Sequence, residues 1–129
     1  MRQAFADLAA NKPQLLVSGP SIIEGGSPAL FISSKRGLPK HDYYKKAPYE
    51  VIHMHETDGS LHCILSAADA KLLIQKGWGE RHGLNGKIGF PRGYLMVYAP
   101  RDESELDVIL SIMKAAAQYG LGGEDVLWS

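Results

Sequence analysis

The sequence predicts one α+β domain over the whole 129-residue chain, with a mostly antiparallel sheet and helices packed mainly on one side. Asp58-Gly59 lies between two apolar-rich runs and predicts a hairpin over 50–56 and 61–65, because both turn residues tolerate positive φ. Apolar residues at helical spacing then predict helices over about 66–76 and 102–119. Strands followed by helix, strand and helix are typical of this class.

The first half of the chain predicts a short helix and a meander. Phe5, Leu8 and Ala9 have helical spacing. The clusters Gly19-Pro20 and 25–28 are typical of turns. Around them we expect three short strands of one meander, over 15–17, 22–23 and 29–32.

Both long helices carry capping signals. Ser66 with Asp69, and Asp102 with Glu105, match the capping box, in which side chains bond the free backbone N–H groups of the first turn. We expect Gly120 to end the last helix, because glycine adopts the backbone conformations found at helix ends.

The segment between these helices is expected to return the chain to the hairpin. Gly77 is expected as a left-handed helix cap, and Gly79 as a point of close backbone approach. A turn over 80–82 follows. The nearly continuous apolar run 94–99 predicts a strand covered on both faces.

Three histidines are predicted to share one face of the hairpin. With Asp58-Gly59 as the turn, His55 pairs with His62, and alternation places His53 beside them. A single strand histidine is usually a packed or solvated residue, but clustered imidazoles shift each other's pKa and favour a functional site. The histidine face is also expected to carry Val51 and Ile64, and the opposite apolar face Ile52, Met54, Leu61, Cys63 and Leu65.

The charge balance and the cysteine count indicate which partners and which compartment to expect. The net charge is zero and the pI is near 7, which argues against a mainly electrostatic nucleic-acid or membrane partner. The single cysteine excludes an intrachain disulfide and predicts a reducing, cytoplasmic location. We also expect no signal peptide, since residues 1–10 lack an apolar h-region, and no segment of transmembrane length.

A basic segment over 34–50 interleaves lysines and tyrosines. Such a mixture suits single-stranded nucleic acid or a flat anionic ligand. A solvated, mobile loop is the favoured interpretation, and a lid over the histidine face is an intermediate one.

Several motifs together resemble the luciferase-like domain family named after fungal luciferase, over roughly residues 49–119. The motifs match the family in their residues, and they also occur in the same order and at the same spacing. The motifs are Glu50-Val51-Ile52-His53-Met54-His55, Leu61-His62, Lys76-Gly77-Trp78-Gly79-Glu80-Arg81-His82 and Tyr98-Ala99-Pro100-Arg101-Asp102-Glu103.

The resemblance implies an oxygenase. Fungal luciferase oxidises 3-hydroxyhispidin, a styryl α-pyrone enol, with O2, and a peroxidic intermediate loses CO2 to leave an excited product. The family comparison therefore implies a small aromatic or enolic substrate and O2 as partners, with no metal or organic cofactor.

Elementary chemistry assigns roles to the candidate residues. An enol must lose its proton before it reacts readily with O2, and histidine is a base suited to neutral pH. His55 or His62 is the predicted base, with the other orienting it. The full predicted catalytic set is His53, His55, His62, His82 and Arg101, and the predicted substrate-binding set is Trp78, Glu80, Arg81 and Tyr98.

Within these sets, His53 and His82 are expected to bind substrate oxygens. An arginine, Arg101 or Arg81, is expected to stabilise the enolate as a fixed positive charge. The structural alternative pairs Arg101 with Asp102 or Glu105, and Arg81 with Glu80.

Two other interpretations stay open. A His-x-His strand with His62 opposite is a plausible three-imidazole set for Zn or Fe, with Glu80 the better carboxylate because Glu56 points to the other face. A non-catalytic small-molecule binding module would keep the same histidines for structure. The sequence leaves the oligomeric state open.

Overall fold

The computed structural model describes residues 2–37, 39 and 43–122. Within them, six strands form one antiparallel sheet in the order β1-β2-β3-β4-β6-β5, which confirms the α+β prediction. The elements are α1 (Arg2–Asn11), β1 (Leu16–Pro20), β2 (Pro28–Ile32), β3 (Glu50–Met54), β4 (Leu61–Ile64), α2 (Ala67–Gln75), β5 (Gly79–Arg81), β6 (Tyr94–Val97) and α3 (Glu103–Gly120).

All three helices share one apolar core with the sheet. Phe5 of α1, Leu73 of α2 and Ile112 of α3 are buried in the same cluster as the strand residue Leu30. Cys63 is also buried there, and burial raises the pKa of its thiol to about 12, as expected for an inert, packed cysteine. No described helix is both long enough and apolar enough to cross a membrane.

The predicted helix caps are present. The Ser66 hydroxyl accepts the Asp69 N–H at 3.2 Å, and the Asp102 carboxylate accepts the Glu105 N–H at 3.0 Å. α3 ends at Gly120, as the sequence predicted, although the left-handed backbone conformation lies at Gly122, beyond the Leu121 cap. A Cβ on Gly120 would lie 2.5 Å from Val51, so this glycine allows α3 to pack closely on the sheet.

The hairpin register differs from the predicted one by two residues. His53 pairs with His62, and the His55 N–H donates to the Ser60 carbonyl at 2.8 Å. The Asp58 carboxylate accepts both the N–H and the hydroxyl of Ser60, which widens the loop to residues 56–59. Because the shift is even, the side chains of residues 52–55 and 61–65 stay on their predicted faces.

A bulge in β3 corrects the prediction for Val51. Leu30 pairs with Ile52, but Phe31 pairs with Glu50, so Val51 is the extra residue. Val51 therefore lies in the helix-side core rather than on the histidine face. Glu50 takes its place on the histidine face.

Three other local predictions are wrong. Residues 22–23 belong to the loop between β1 and β2, because their N–H groups bond the Glu50 carboxylate instead of a neighbouring strand. Gly19-Pro20 ends β1, where an edge strand tolerates proline. Glu80 and Arg81 form strand β5 with β6 instead of a turn, and Gly79 lets the two strands and α2 approach closely.

Candidate functional site

Four histidines meet on the sheet face that lies opposite the helices. His53 and His62 are neighbours across the hairpin with ring centroids 5.0 Å apart, and His55 lies 4.8 Å from His62. The edge strand β5 brings in His82, whose ring is 5.0 Å from His62. His62 is therefore the centre of the group, and the structure brings together all four histidines that the sequence singled out.

Glu24 joins these histidines, although sequence reasoning did not select it. It extends from the β1–β2 loop, and its Oε2 lies 3.0 Å from Nε2 of His55. Its Oε1 lies 3.7 Å from Nε2 of His53 and 3.8 Å from Nδ1 of His62. We call Glu24, His53, His55, His62 and His82 the histidine–glutamate cluster.

Glu50 fixes the loop that carries Glu24. This fully buried carboxylate accepts the Ser21 hydroxyl at 2.7 Å and the Ile22 N–H at 2.8 Å. The Ser21 hydroxyl in turn accepts the Glu24 N–H at 2.8 Å. Burial alone would raise the pKa of the Glu50 carboxyl, but its contacts with His53, Ser21 and Ile22 hold that pKa below its usual value.

His53 is completely buried between two carboxylates. Its Nδ1 lies 2.8 Å from Oε2 of Glu50, and its Nε2 faces Glu24. The Nδ1–Glu50 distance is that of a direct polar contact, whereas Nε2, at 3.7 Å from Glu24, makes no hydrogen bond among the described residues. Buried imidazole nitrogens are normally hydrogen-bonded, so His53 is unusual.

His62 is held as a neutral imidazole. It is only 5% exposed, and its Nδ1 lies 3.1 Å from the Tyr94 hydroxyl. Burial is the largest cause, and the positive charges that His53, His55 and His82 can carry act in the same direction; together they lower the pKa of His62 to about 3. His62 can therefore act as a hydrogen-bonding group or a neutral ligand near pH 7.

An aromatic wall borders the cluster on one side. His82 lies against Tyr94 with ring centroids 4.4 Å apart, and Tyr94 stacks on Phe90 at 4.9 Å. Tyr44 packs edge-on against Tyr94 at 5.2 Å. Burial lowers the pKa of His82, and the nearby Glu24 carboxylate opposes that shift.

Tyr44 corrects the prediction of a solvated basic loop. Tyr44 and Ala47 are each 1% exposed, so this part of the segment is core rather than a mobile surface loop. The Tyr44 hydroxyl has no hydrogen-bond partner within the described residues, and burial raises its pKa well above the usual value. Positions 38 and 40–42 of this segment lie outside the described residues.

An open flank adjoins the cluster on the other side. The sheet register aligns His53, His62, Met96 and Glu80 in one row across four strands. The Tyr98 hydroxyl donates to Oε1 of Glu80 at 3.3 Å, and both side chains are exposed. Two predicted substrate-binding residues, Glu80 and Tyr98, therefore share the histidine face.

The other predicted site residues lie elsewhere. Trp78 packs against the helix-side core, and Arg81 pairs with Leu95, whose side chain lies in that core. Arg101 is 85% exposed at the side chain and binds Glu105 through two nitrogens, at 2.9 and 2.7 Å. This is the structural alternative that the sequence offered for Arg101.

Comparison with known proteins identifies the family. A family model described as the luciferase domain matches residues 48–116. The chain belongs to the luciferase domain family. Luciferases of Armillaria gallica and Armillaria mellea are each 39% identical over 95 residues, covering 71% of this chain and 36% of each relative, and that of Neonothopanus nambi is 38% identical. The chain thus spans about a third of the length of these relatives, and no solved structure matches it.

The family match includes the four histidines but begins after Glu24 and Tyr44. Those two residues, with Glu50 and Tyr94, are the site residues that sequence reasoning missed. The sequence shows Glu50 three residues before His53, but the bulge that places the Glu50 carboxylate on the histidine face leaves no local signal. Glu24 sits in a turn-rich segment that resembles an ordinary surface loop.

The luciferase domain also contains a group able to hold a metal ion. Ligand atoms of Glu24, His53 and His62 all lie within 4.8 Å of one another. The carboxylate is Glu24, not Glu80, which the sequence favoured for that role. Of the three imidazoles that the sequence offered as metal ligands, this group omits His55, whose Nε2 lies 3.0 Å from the other oxygen of Glu24.

Proposed function

We propose that this luciferase domain is an oxidoreductase that uses O2 to oxidise a small enolic aromatic molecule, with His55 as its general base. Membership of the luciferase domain family and the arrangement of His55 with Glu24 support this proposal. The observation that carries it is the 3.0 Å contact between Nε2 of His55 and Oε2 of Glu24.

The contact with Glu24 prepares His55 for proton transfer. A carboxylate at one ring nitrogen fixes the orientation of the imidazole and stabilises the imidazolium that forms. With Nε2 facing Glu24, Nδ1 is the atom that accepts the substrate proton. His55 is also about one-third exposed at the side chain, whereas His62 is nearly inaccessible, which favours His55 among the two predicted bases.

The proposed reaction needs only the substrate, O2 and His55. The enol O–H proton moves to Nδ1 of His55 and leaves an enolate. The enolate carbon then bonds to O2, which takes two electrons from the substrate and becomes a carbon-bound peroxide anion. His55 returns the proton to that peroxide, and for a pyrone of the hispidin type the resemblance implies loss of CO2 afterwards.

The open flank is the proposed substrate surface. The open flank carries Met96, Glu80 and Tyr98 next to the base His55. Met96 offers an apolar surface and Tyr98 an aromatic ring, as a flat aromatic substrate requires. Arg81 and Arg101 lie away from this face, so the developing negative charge is stabilised by protonated His55 rather than by arginine.

The test is consumption of 3-hydroxyhispidin and of O2 by the purified chain, followed by absorbance and an oxygen electrode, with hispidin as a non-hydroxylated comparison. His55→Gln should lower the rate about 100-fold or more, the usual contribution of a general base. Glu103→Gln is the matched surface control and should retain the wild-type rate, since Glu103 is exposed on α3.

Other results would contradict the proposal in different ways. Tight binding of the pyrone without O2 consumption would identify a non-catalytic binding module. Wild-type rates in His55→Gln would remove His55 as the base. Failure to bind either pyrone would show that the substrate class is wrong.

A further inference from the structure

We propose that Glu24, His53 and His62 bind one first-row divalent transition metal ion. The inference concerns binding alone, and it stands whether or not the proposed oxidation occurs. It departs from the expectation of a metal-free protein that the family resemblance implied. It also changes the ligand set that the sequence offered, because Glu24 replaces Glu80 and His55 is not a ligand.

The distances between the candidate ligand atoms suit a small cation. Oε1 of Glu24 lies 3.7 Å from Nε2 of His53 and 3.8 Å from Nδ1 of His62. Metal–ligand bonds near 2.1 Å at tetrahedral angles place neighbouring ligand atoms about 3.4 Å apart. These two distances would have to close by a few tenths of an ångström. The ligand atoms of His53 and His62 lie within 4.8 Å of each other, so that pair would close by at most about 1.4 Å, which rotation of the side chains can supply.

The surroundings of His53 match those of a metal ligand. Its ring is fully buried, and Nε2 makes no hydrogen bond among the described residues while it faces Glu24. The opposite nitrogen, Nδ1, lies 2.8 Å from the Glu50 carboxylate. Metal-bound histidines usually direct their second nitrogen at a carboxylate in this way, which orients the ring and increases its basicity.

The two oxygens of Glu24 face different partners. Oε1 faces His53 and His62, while Oε2 bonds His55. One oxygen can therefore bind a metal while the other continues to hold His55. In this arrangement the ion and the proposed base occupy adjacent positions on the same carboxylate.

The donor set selects the class of ion. Two imidazoles and one carboxylate suit zinc, iron, cobalt, nickel or copper, whereas magnesium and calcium prefer oxygen ligands alone. Three protein ligands also leave positions open for water or substrate. The Tyr94 hydroxyl lies 3.1 Å from Nδ1 of His62, so metal binding at that nitrogen would replace this hydrogen bond.

The test uses the untagged full chain after treatment with a chelator that is then removed. Titration with Co²⁺, followed by equilibrium dialysis and visible absorption, should show one bound ion per chain with the spectrum of mixed nitrogen and oxygen ligation. Zn²⁺ should displace it. Wild-type protein should also unfold at a higher temperature with Zn²⁺ than with the chelator.

Substitutions should produce graded losses of affinity. His53→Ala, His62→Ala and Glu24→Gln should each weaken Co²⁺ binding by about 100-fold or more, because each removes a ligand or its charge. Glu50→Gln, which removes no ligand but alters the partner of His53 and the support of the Glu24 loop, should weaken it about 10- to 100-fold. Glu103→Gln removes an equal charge from the surface and should leave the affinity unchanged.

A second measurement uses the wild-type protein and therefore does not depend on whether the variants fold. In wild-type protein, Zn²⁺ should shift the imidazole NMR signals of His53 and His62 most strongly. The proposal is overturned if the wild type binds no Co²⁺, or if folded Glu24→Gln binds as tightly as the wild type. Metal binding without pyrone oxidation would overturn only the proposed function, and oxidation by chelator-treated protein that binds no Co²⁺ would overturn only the metal site.

Discussion

Glu50→Gln should destabilise the protein by releasing the loop that carries Glu24. The substitution keeps the size of the side chain and removes its charge. In the native protein, Oε1 accepts the N–H groups of Ile22 and Ile23, while Oε2 contacts the Ser21 hydroxyl and Nδ1 of His53. A glutamine can keep one carbonyl oxygen for the backbone donors but presents an amide NH2 to the other two groups.

The size of the effect can be estimated from these four contacts. A hydrogen bond to a charged group contributes about 1.5–3 kcal/mol and one between neutral groups about 0.5–1.5 kcal/mol. Two contacts that each lose about 1 kcal/mol lower the free energy of unfolding by about 2 kcal/mol. For a chain of 129 residues, that loss corresponds to a fall of about 7 °C in Tm.

The measurement is urea and thermal unfolding followed by circular dichroism, with chelator present so that no metal contributes. Glu103→Gln is the matched control, because loss of this exposed charge near the start of α3 costs about 0.5 kcal/mol. A Glu50→Gln protein within about 0.5 kcal/mol of that control would refute the reasoning, since Glu50 would then not hold the loop. Ser21→Ala should reproduce part of the loss.

Three further substitutions test the scaffold, each by urea unfolding against the wild type. Gly79→Ala should cost about 3 kcal/mol, because its Cβ would overlap the Met96 carbonyl, and a loss below 1 kcal/mol would mean that β5 can move away from β6. Ser66→Ala should cost about 1 kcal/mol through loss of the α2 cap, and an unchanged midpoint would contradict that role. Tyr94→Phe should cost about 1–2 kcal/mol, because the buried His62 loses its hydroxyl partner, and a stabilised variant would show that this hydrogen bond is not needed.

The part of the site that the sequence predicts depends on side chains alternating between the two faces of each strand. The faces of His53, His55 and His62 depend only on the parity of residues along two adjacent strands, and an even shift of register leaves that parity intact. The caps at Ser66 and Asp102 were equally predictable, because each pairs a residue with one three positions later. Such features need no knowledge of distant segments.

The remaining features depend on contacts between distant parts of the chain. Glu24 reaches the histidines because the buried Glu50 carboxylate, 26 residues later, holds its loop. Glu50 itself lies on the histidine face only because a bulge makes Val51 the extra residue against β2. Neither the bulge nor the loop has a sequence pattern that distinguishes it from an ordinary strand or turn.

The same contacts connect the stability of the fold to the chemistry of the cluster. Glu50 reaches His53 directly and Glu24 through Ser21, so one buried carboxylate orients both a histidine and the carboxylate that faces it. A change at Glu50 should therefore alter the His55–Glu24 base and the proposed metal ligands together. A change at His55 should affect proton transfer while His53 and His62 keep their positions, because His55 contacts a different oxygen of Glu24. The two substitutions thus separate positioning of the cluster from chemistry within it.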